Sequence, residues 1–173
     1  MWKGKPKPPK NPEDEQVIEQ RAVDLLSRRE HSEAELRYKL RHKGFAAEAI
    51  DRVLARLQQR QWQSDTRFAE SFFRQRVEQG YGPLRIRQEM QQKGVAEQDI
   101  EQVFVTYAPN WQALARERYQ RRFAAKLVST EVEPPLTPKE RAKRQRFLAQ
   151  RGFTAEQVYA AMSAAEDDDA AVF

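Results

Sequence analysis

The sequence contains no cysteine, which rules out a disulfide, a thiolate metal ligand and a thiol nucleophile, and which suits a reducing cytosol. Histidine is scarce as well: His31 and His42 stand 11 residues apart, outside His-Glu-x-x-His or any related ligand spacing, so both read as structural or surface residues. No Gly-x-Ser-x-Gly elbow occurs, and Gly80-Tyr81-Gly82-Pro83 lacks the Lys-Ser/Thr that completes a phosphate loop. No apolar run approaches the length of a membrane span, and the N-terminal lysines and prolines do not form a signal peptide. Sustained two-residue alternation is also missing, which argues against a sheet. These absences lead to the expectation of a non-enzyme with no metal and no cofactor.

The few glycines present are placed with regularity. Lys43-Gly44-Phe45 returns 50 residues later as Lys93-Gly94-Val95, and again, displaced by 58, as Arg151-Gly152-Phe153. Apolar residues recur at matching later positions, Ile50, Ile100 and Val158, then Leu54, Phe104 and Met162. Such a repeat is read first, because each copy is one supersecondary unit. Its physical sense is a helix stop: a helix often ends on a residue in the left-handed region, which glycine adopts most cheaply. Leu40, Met90 and Leu148 lie four residues before each glycine, where they can close over the turn against Phe45, Val95 and Phe153.

Helix starts fit the same period. Asn11-Pro12 with Glu13, Asp14 and Glu15 opens a first helix reaching about Arg29. Ser32-x-x-Glu35 and Thr137-x-x-Glu140 are capping-box patterns, Ser64-Asp65 opens another helix, and Asn110 caps a further one. Phe68, Phe72 and Phe73 form a core stripe, and Trp62 and Trp111 are expected to pack between repeats. The expected fold is all-α, an elongated, curved array of three tandem three-helix repeats with about nine helices. Its parts are a basic Lys/Pro tail (1–11), repeat 1 (12–61), repeat 2 (62–109), repeat 3 (110–165) and an acidic tail (166–173).

Charge is uneven beneath a formal net of +5. Residues 13–109 hold 16 bases against 17 acids, whereas 110–152 hold 11 against 4, a net of +7 that marks repeat 3 as the face for a polyanion. The candidate contacts there are Arg116, Arg118, Arg121 and Arg122, then Lys139, Lys143, Arg144, Arg146 and Arg151. A second group, Arg74, Arg76, Arg85 and Arg87, flanks the Gly80 turn, where nearby Glu70, Glu78 and Glu89 favour a salt-bridged surface.

Several of these motifs together are similar to one family. Ser32-Glu33-x-Glu35-Leu36-x-x-Lys39-Leu40-x-x-Lys43-Gly44, Asp65-x-x-Phe68-Ala69, Gly80-Tyr81-Gly82-Pro83-x-x-Ile86-x-x-Glu89-Met90-x-x-Lys93-Gly94-Val95 and Arg146-Phe147-Leu148-x-x-Arg151-Gly152-Phe153 resemble the bacterial RecX regulatory proteins over residues 17–162. The resemblance implies a cytoplasmic modulator of the RecA recombinase. Such a protein binds the RecA filament on single-stranded DNA in its groove and restrains filament extension, ATP hydrolysis, strand exchange and repressor cleavage. It implies no catalytic centre. A monomer with possible contact to single-stranded DNA and none to a membrane is expected. Two other readings stay open from the residues alone: a direct DNA-binding protein, since helix-glycine-helix units with a basic helix also resemble helix-turn-helix readers, and a generic helical adaptor.

Overall fold

A computed structural model describes residues 9–123 and 136–170. Among them are nine helices and no strand: α1 (Glu15–Leu26), α2 (Glu33–His42), α3 (Ala47–Gln59), α4 (Asp65–Glu78), α5 (Pro83–Gln92), α6 (Glu97–Tyr107), α7 (Trp111–Phe123), α8 (Pro138–Gln150) and α9 (Ala155–Ala170). They form three consecutive triplets, as the repeat predicts. The N-terminal and acidic tails fall largely or wholly outside the residues whose side chains are described. The described residues fall into two compact units, one within Met1–Phe72 and Met90–Val103, the other within Phe73–Glu89 and Phe104–Phe173. The middle triplet is therefore divided, each of α4, α5 and α6 contributing residues to both units.

The first unit is built on α1 to α3. Ile18 and Ala22 of α1 and Leu36 and Leu40 of α2 meet Ala49, Ile50, Val53, Leu54 and Leu57 of α3, all fully buried. Each such Leu or Ile contributes about 1.5–3 kcal/mol through burial, so helical spacing of apolar residues specifies the triplet. In the second unit, Ala115 and Tyr119 of α7 and Leu148 of α8 pack with Phe153, Val158, Ala161 and Met162. Phe73 extends this unit by an edge-on contact with Phe104 at 4.9 Å and a second with Trp111 at 6.0 Å between ring centroids.

The glycine stops are as expected. Gly44, Gly94 and Gly152 have φ of +93°, +74° and +88°. The amide after each donates to the carbonyl five residues back (Phe45 to Leu40, Val95 to Met90, Phe153 to Leu148), at 3.4, 3.1 and 3.3 Å. This is the Schellman closure, with the apolar pair over the turn.

Three local expectations need correction. Helix α1 starts at Glu15 and ends at Leu26: Asp14 is its cap, accepting from the amides of Gln16 and Val17, while the Asn11 side chain accepts from the Glu13 amide ahead of it. The charged Asp14 carboxylate, satisfying two orphan amides, outcompetes Asn11. Ser32 and Thr137 do cap α2 and α8, at 3.1 and 3.2 Å, but Glu35 and Glu140 do not reach back. Glu35 turns to Arg29 and Lys93, and Glu140 to Lys143 and Arg144, because a nearby cation is a stronger partner than a neutral amide. Trp62 is half exposed with Arg60 over its ring, so only Trp111 serves as packing.

Candidate functional site

In the first unit, the N-terminus of α2 is joined to the Lys93-Gly94 turn. Ser32, fully buried, accepts from the Glu35 amide and donates its hydroxyl to the Lys93 carbonyl at 2.7 Å. Glu35 is held between Lys93 Nζ at 2.6 Å and Arg29 Nη1 at 3.0 Å. Burial raises the Glu35 pKa, but hydrogen bonds and charge from Arg29 and Lys93 outweigh it and hold the carboxyl at about 2. Beside this pair, His31 is buried, one ring nitrogen 3.1 Å from the Arg29 carbonyl and the other 3.2 Å from Lys39 Nζ. Burial is the main influence on its pKa, lowering it, so the neutral ring donates to the carbonyl and accepts from the ammonium.

The second unit repeats this joint with different chemistry. Here the N-terminus of α5 meets the Arg151-Gly152 turn, backbone to backbone: the Gly82 amide donates to the Arg151 carbonyl at 2.8 Å and the Leu84 amide to the Gly152 carbonyl at 3.0 Å. Neither glycine has room for a side chain, since a methyl on Gly82 would enter the Gly152-Phe153 peptide and one on Gly152 would enter Arg85. Around Tyr81, which takes the place of His31, three guanidiniums gather: Arg85 at 4.3 Å, Arg76 at 5.2 Å and Arg151 at 5.4 Å from the ring centroid. Glu89 bridges Arg76 and Arg85 at 2.7 and 2.8 Å. Arg151 donates to the Gln79 carbonyl at 3.0 Å, and Arg118, lying against Gly80, donates to the Glu78 carbonyl at 2.6 Å. These carbonyls close α4, whose C-terminal end favours cations.

The remaining candidate cations divide into packed and solvent-facing. Arg144 lies over Phe123 and donates to the Tyr119 hydroxyl at 2.8 Å, so it belongs to the α7–α8 packing. Arg87 lies half buried over Phe104, and Arg116 is half buried on α7. Lys139, Lys143 and Arg146 are exposed along one stripe of α8, with Lys143 near Glu140. Arg121 and Arg122 are exposed at the end of α7, Arg121 paired to Glu117, and exposed Arg74 reaches the Tyr107 ring. Among the described residues no group of three or more His, Asp or Glu is placed to hold a metal, and no helix is long and apolar enough to cross a membrane.

Family models of the three RecX three-helix domains match in order, the first over residues 15–57, the second over 64–103 and the third over 112–162. The chain belongs to the RecX family. It is 41% identical over 153 residues to the regulatory protein RecX of Pseudomonas putida, covering 88% of this chain and 94% of that one. Against the regulatory protein RecX of Pseudomonas syringae pv. tomato the identity is 39% over the same shares. Two crystal structures share the fold. One, of a regulatory protein RecX, has TM-score 0.69 at 24% identity, covering 86% of this chain and 71% of that one. The other, RecX from Lactobacillus salivarius, has TM-score 0.67 at 18% identity, covering 87% and 96%.

Within this RecX chain, sequence reasoning did not find the gathering at Tyr81. Arg118 and Arg151 lie 33 residues apart and come together only because both reach the end of α4. The available signal was the aligned pair Lys93 and Arg151: a cation adjoining the glycine in both copies marks a shared joint.

Proposed function

We propose that this chain is a negative modulator of the RecA recombinase, binding the RecA–single-stranded DNA filament in its groove and restraining extension, ATP hydrolysis, strand exchange and repressor cleavage. The observation that carries this reading is the ordered match of all three RecX domains, with 41% identity across 94% of a regulatory protein. It acts in the cytoplasm as a binding protein, not an enzyme. The exposed α8 stripe supports contact with a polyanionic or acidic partner.

Direct helix-turn-helix readout is the weaker reading, on charge. The second helix of each helix-glycine-helix pair would enter the major groove. Yet α6 carries Glu97, Asp99 and Glu101 with no Lys or Arg, and in α3 Arg52 and Arg56 are tied to Glu15. Such helices repel a duplex more than they read it.

The test is titration of the chain against a RecA filament, reading ATP hydrolysis, beside a variant carrying Lys139→Glu, Lys143→Glu and Arg146→Glu. This variant spares Arg144, whose loss would disturb packing. Inhibition by the wild-type chain and a roughly tenfold weaker variant are expected, because reversed rim charges slow encounter and repel the partner. Hydrolysis unaffected by the wild-type chain would sink the proposal. Tight recombinase-independent binding to a labelled duplex with a steep salt slope would favour direct readout instead.

A further inference from the structure

The arginines of the second joint have a counterpart in the first. A cluster of guanidiniums at the end of a helix is ordinarily explained by packing: cations favour helix C-termini, and their stems cover apolar rings. In this chain the same junction is built twice. In the first unit it is closed by Ser32 and by one carboxylate, Glu35, between two cations. That version sets one acid against two bases and so leaves a surplus of a single positive charge.

The second version carries a larger one, with Glu89 set among Arg76, Arg85, Arg118 and Arg151. Arg85 stands where Glu35 stands in the first, and Arg151 where Lys93 stands, so an acid–base pair has become two cations beside one ring. The named partners of Arg118 and Arg151 are neutral carbonyls and rings, while Glu89 is engaged with Arg76 and Arg85. The backbone bonds from Gly82 and Leu84 already hold the turn without any side chain. Three guanidiniums thus gather at Tyr81 and a fourth, Arg118, lies against the adjoining Gly80; each presents planar donors in a fork that matches phosphate oxygens, and all four remain partly open to solvent.

We infer that the arginine cluster around Tyr81 is a phosphate-binding site, taking backbone phosphates of a single-stranded nucleic acid beside the tyrosine ring. A half-exposed tyrosine with guanidiniums over its ring brings together the two groups that single-strand binders use, aromatic rings and cations that meet phosphates. This deepens the proposed function by naming where nucleic acid touches the chain, and it is tested without the recombinase so that the two can fail separately.

The experiment measures fluorescence anisotropy of a labelled oligothymidylate with the full chain, between 50 and 200 mM salt as probe conditions on the order of those at which phosphate contacts are resolved. The variant is Arg118→Gln with Arg151→Gln, since glutamine can still donate to the α4 carbonyls. Its control, Arg52→Gln with Arg56→Gln, removes the same charge from the first unit. Single-strand contacts contribute about 0.7 to the slope of log affinity against log salt for each phosphate, so the variant should be shallower by about 1.4 and the control unchanged. Equal slopes in variant and wild type, or equal loss in the control, would overturn the inference. Should the double variant lose its helical circular dichroism, Arg85→Gln alone is expected to lower the slope by about 0.7, and an unchanged slope has the same overturning force. Competition by inorganic phosphate at matched ionic strength separates the sources: displacement only by unlabelled oligonucleotide supports backbone phosphates, and displacement equally by free phosphate overturns the nucleic-acid assignment.

Discussion

Glu35 and Arg85 occupy equivalent turns of α2 and α5, yet one is an acid clamped by two bases and the other a base sharing a tyrosine with two more. Both junctions nevertheless bring a helix N-terminus against the glycine turn of the following copy. The difference teaches that the junction is specified by close approach of a helix start to a glycine turn, which leaves no room for a side chain on Gly94 or Gly152, and that side chains around it can change sign without changing the fold.

The largest test of that view compares two glycines with nearly the same φ, Gly152 at +88° and Gly44 at +93°. Alanine at exposed Gly44 suffers the left-handed strain alone, about 1–2 kcal/mol. At Gly152 it also collides with Arg85, so Gly152→Ala should lower unfolding stability by about 3–5 kcal/mol. Urea denaturation reads both, and equal losses would mean that backbone approach is not what specifies the junction.

A smaller effect separates the junctions by chemistry. Glu35→Gln should cost about 2 kcal/mol, since it leaves Lys93 and Arg29 without their shared charge. The folded pKa of Glu35, about 2, lies below the ordinary value of 4.5, so its contribution is complete above pH 4.5 and is lost as pH falls toward 2. Guanidiniums stay charged throughout that range. Acidification should therefore reduce hydrogen-exchange protection at the Leu36 amide of α2, and Glu35→Gln should flatten that response. A wild-type chain whose α2 protection is constant down to pH 2.5, a value chosen to lie roughly within the titration window, would contradict the assigned pair.

The smallest contrast is between two caps. Ser32→Ala removes both the α2 cap and the bond to Lys93, about 2 kcal/mol, whereas Thr137→Ala removes a cap alone, about 1 kcal/mol. Thermal unfolding of the two variants measures the excess due to the junction.

Much of this architecture was legible in the sequence because its signals are local. Gly44, Gly94 and Gly152 with their flanking apolar residues mark helix ends, and the spacing of Ile50, Val53, Leu54 and Leu57 marks a buried face. What escaped was the outcome of competition between partners distant in sequence. Glu35 was expected to bond its own helix start and instead found Lys93, 58 residues on. Arg144, grouped with the solvent-facing stripe, is drawn inward by Tyr119 and Phe123 of the preceding helix. The family motifs identified the chain, but not which of its cations are occupied by packing.

The opening turn of α8 has no such cover: Thr137, Pro138 and Lys139 are exposed, where Ser32 and Gly82 are buried. In the two earlier copies the corresponding turn is covered by the glycine turn of the copy that follows. Bulk added at this turn of α8 therefore meets solvent, whereas bulk added at Ser32 or Gly82 meets a neighbouring turn.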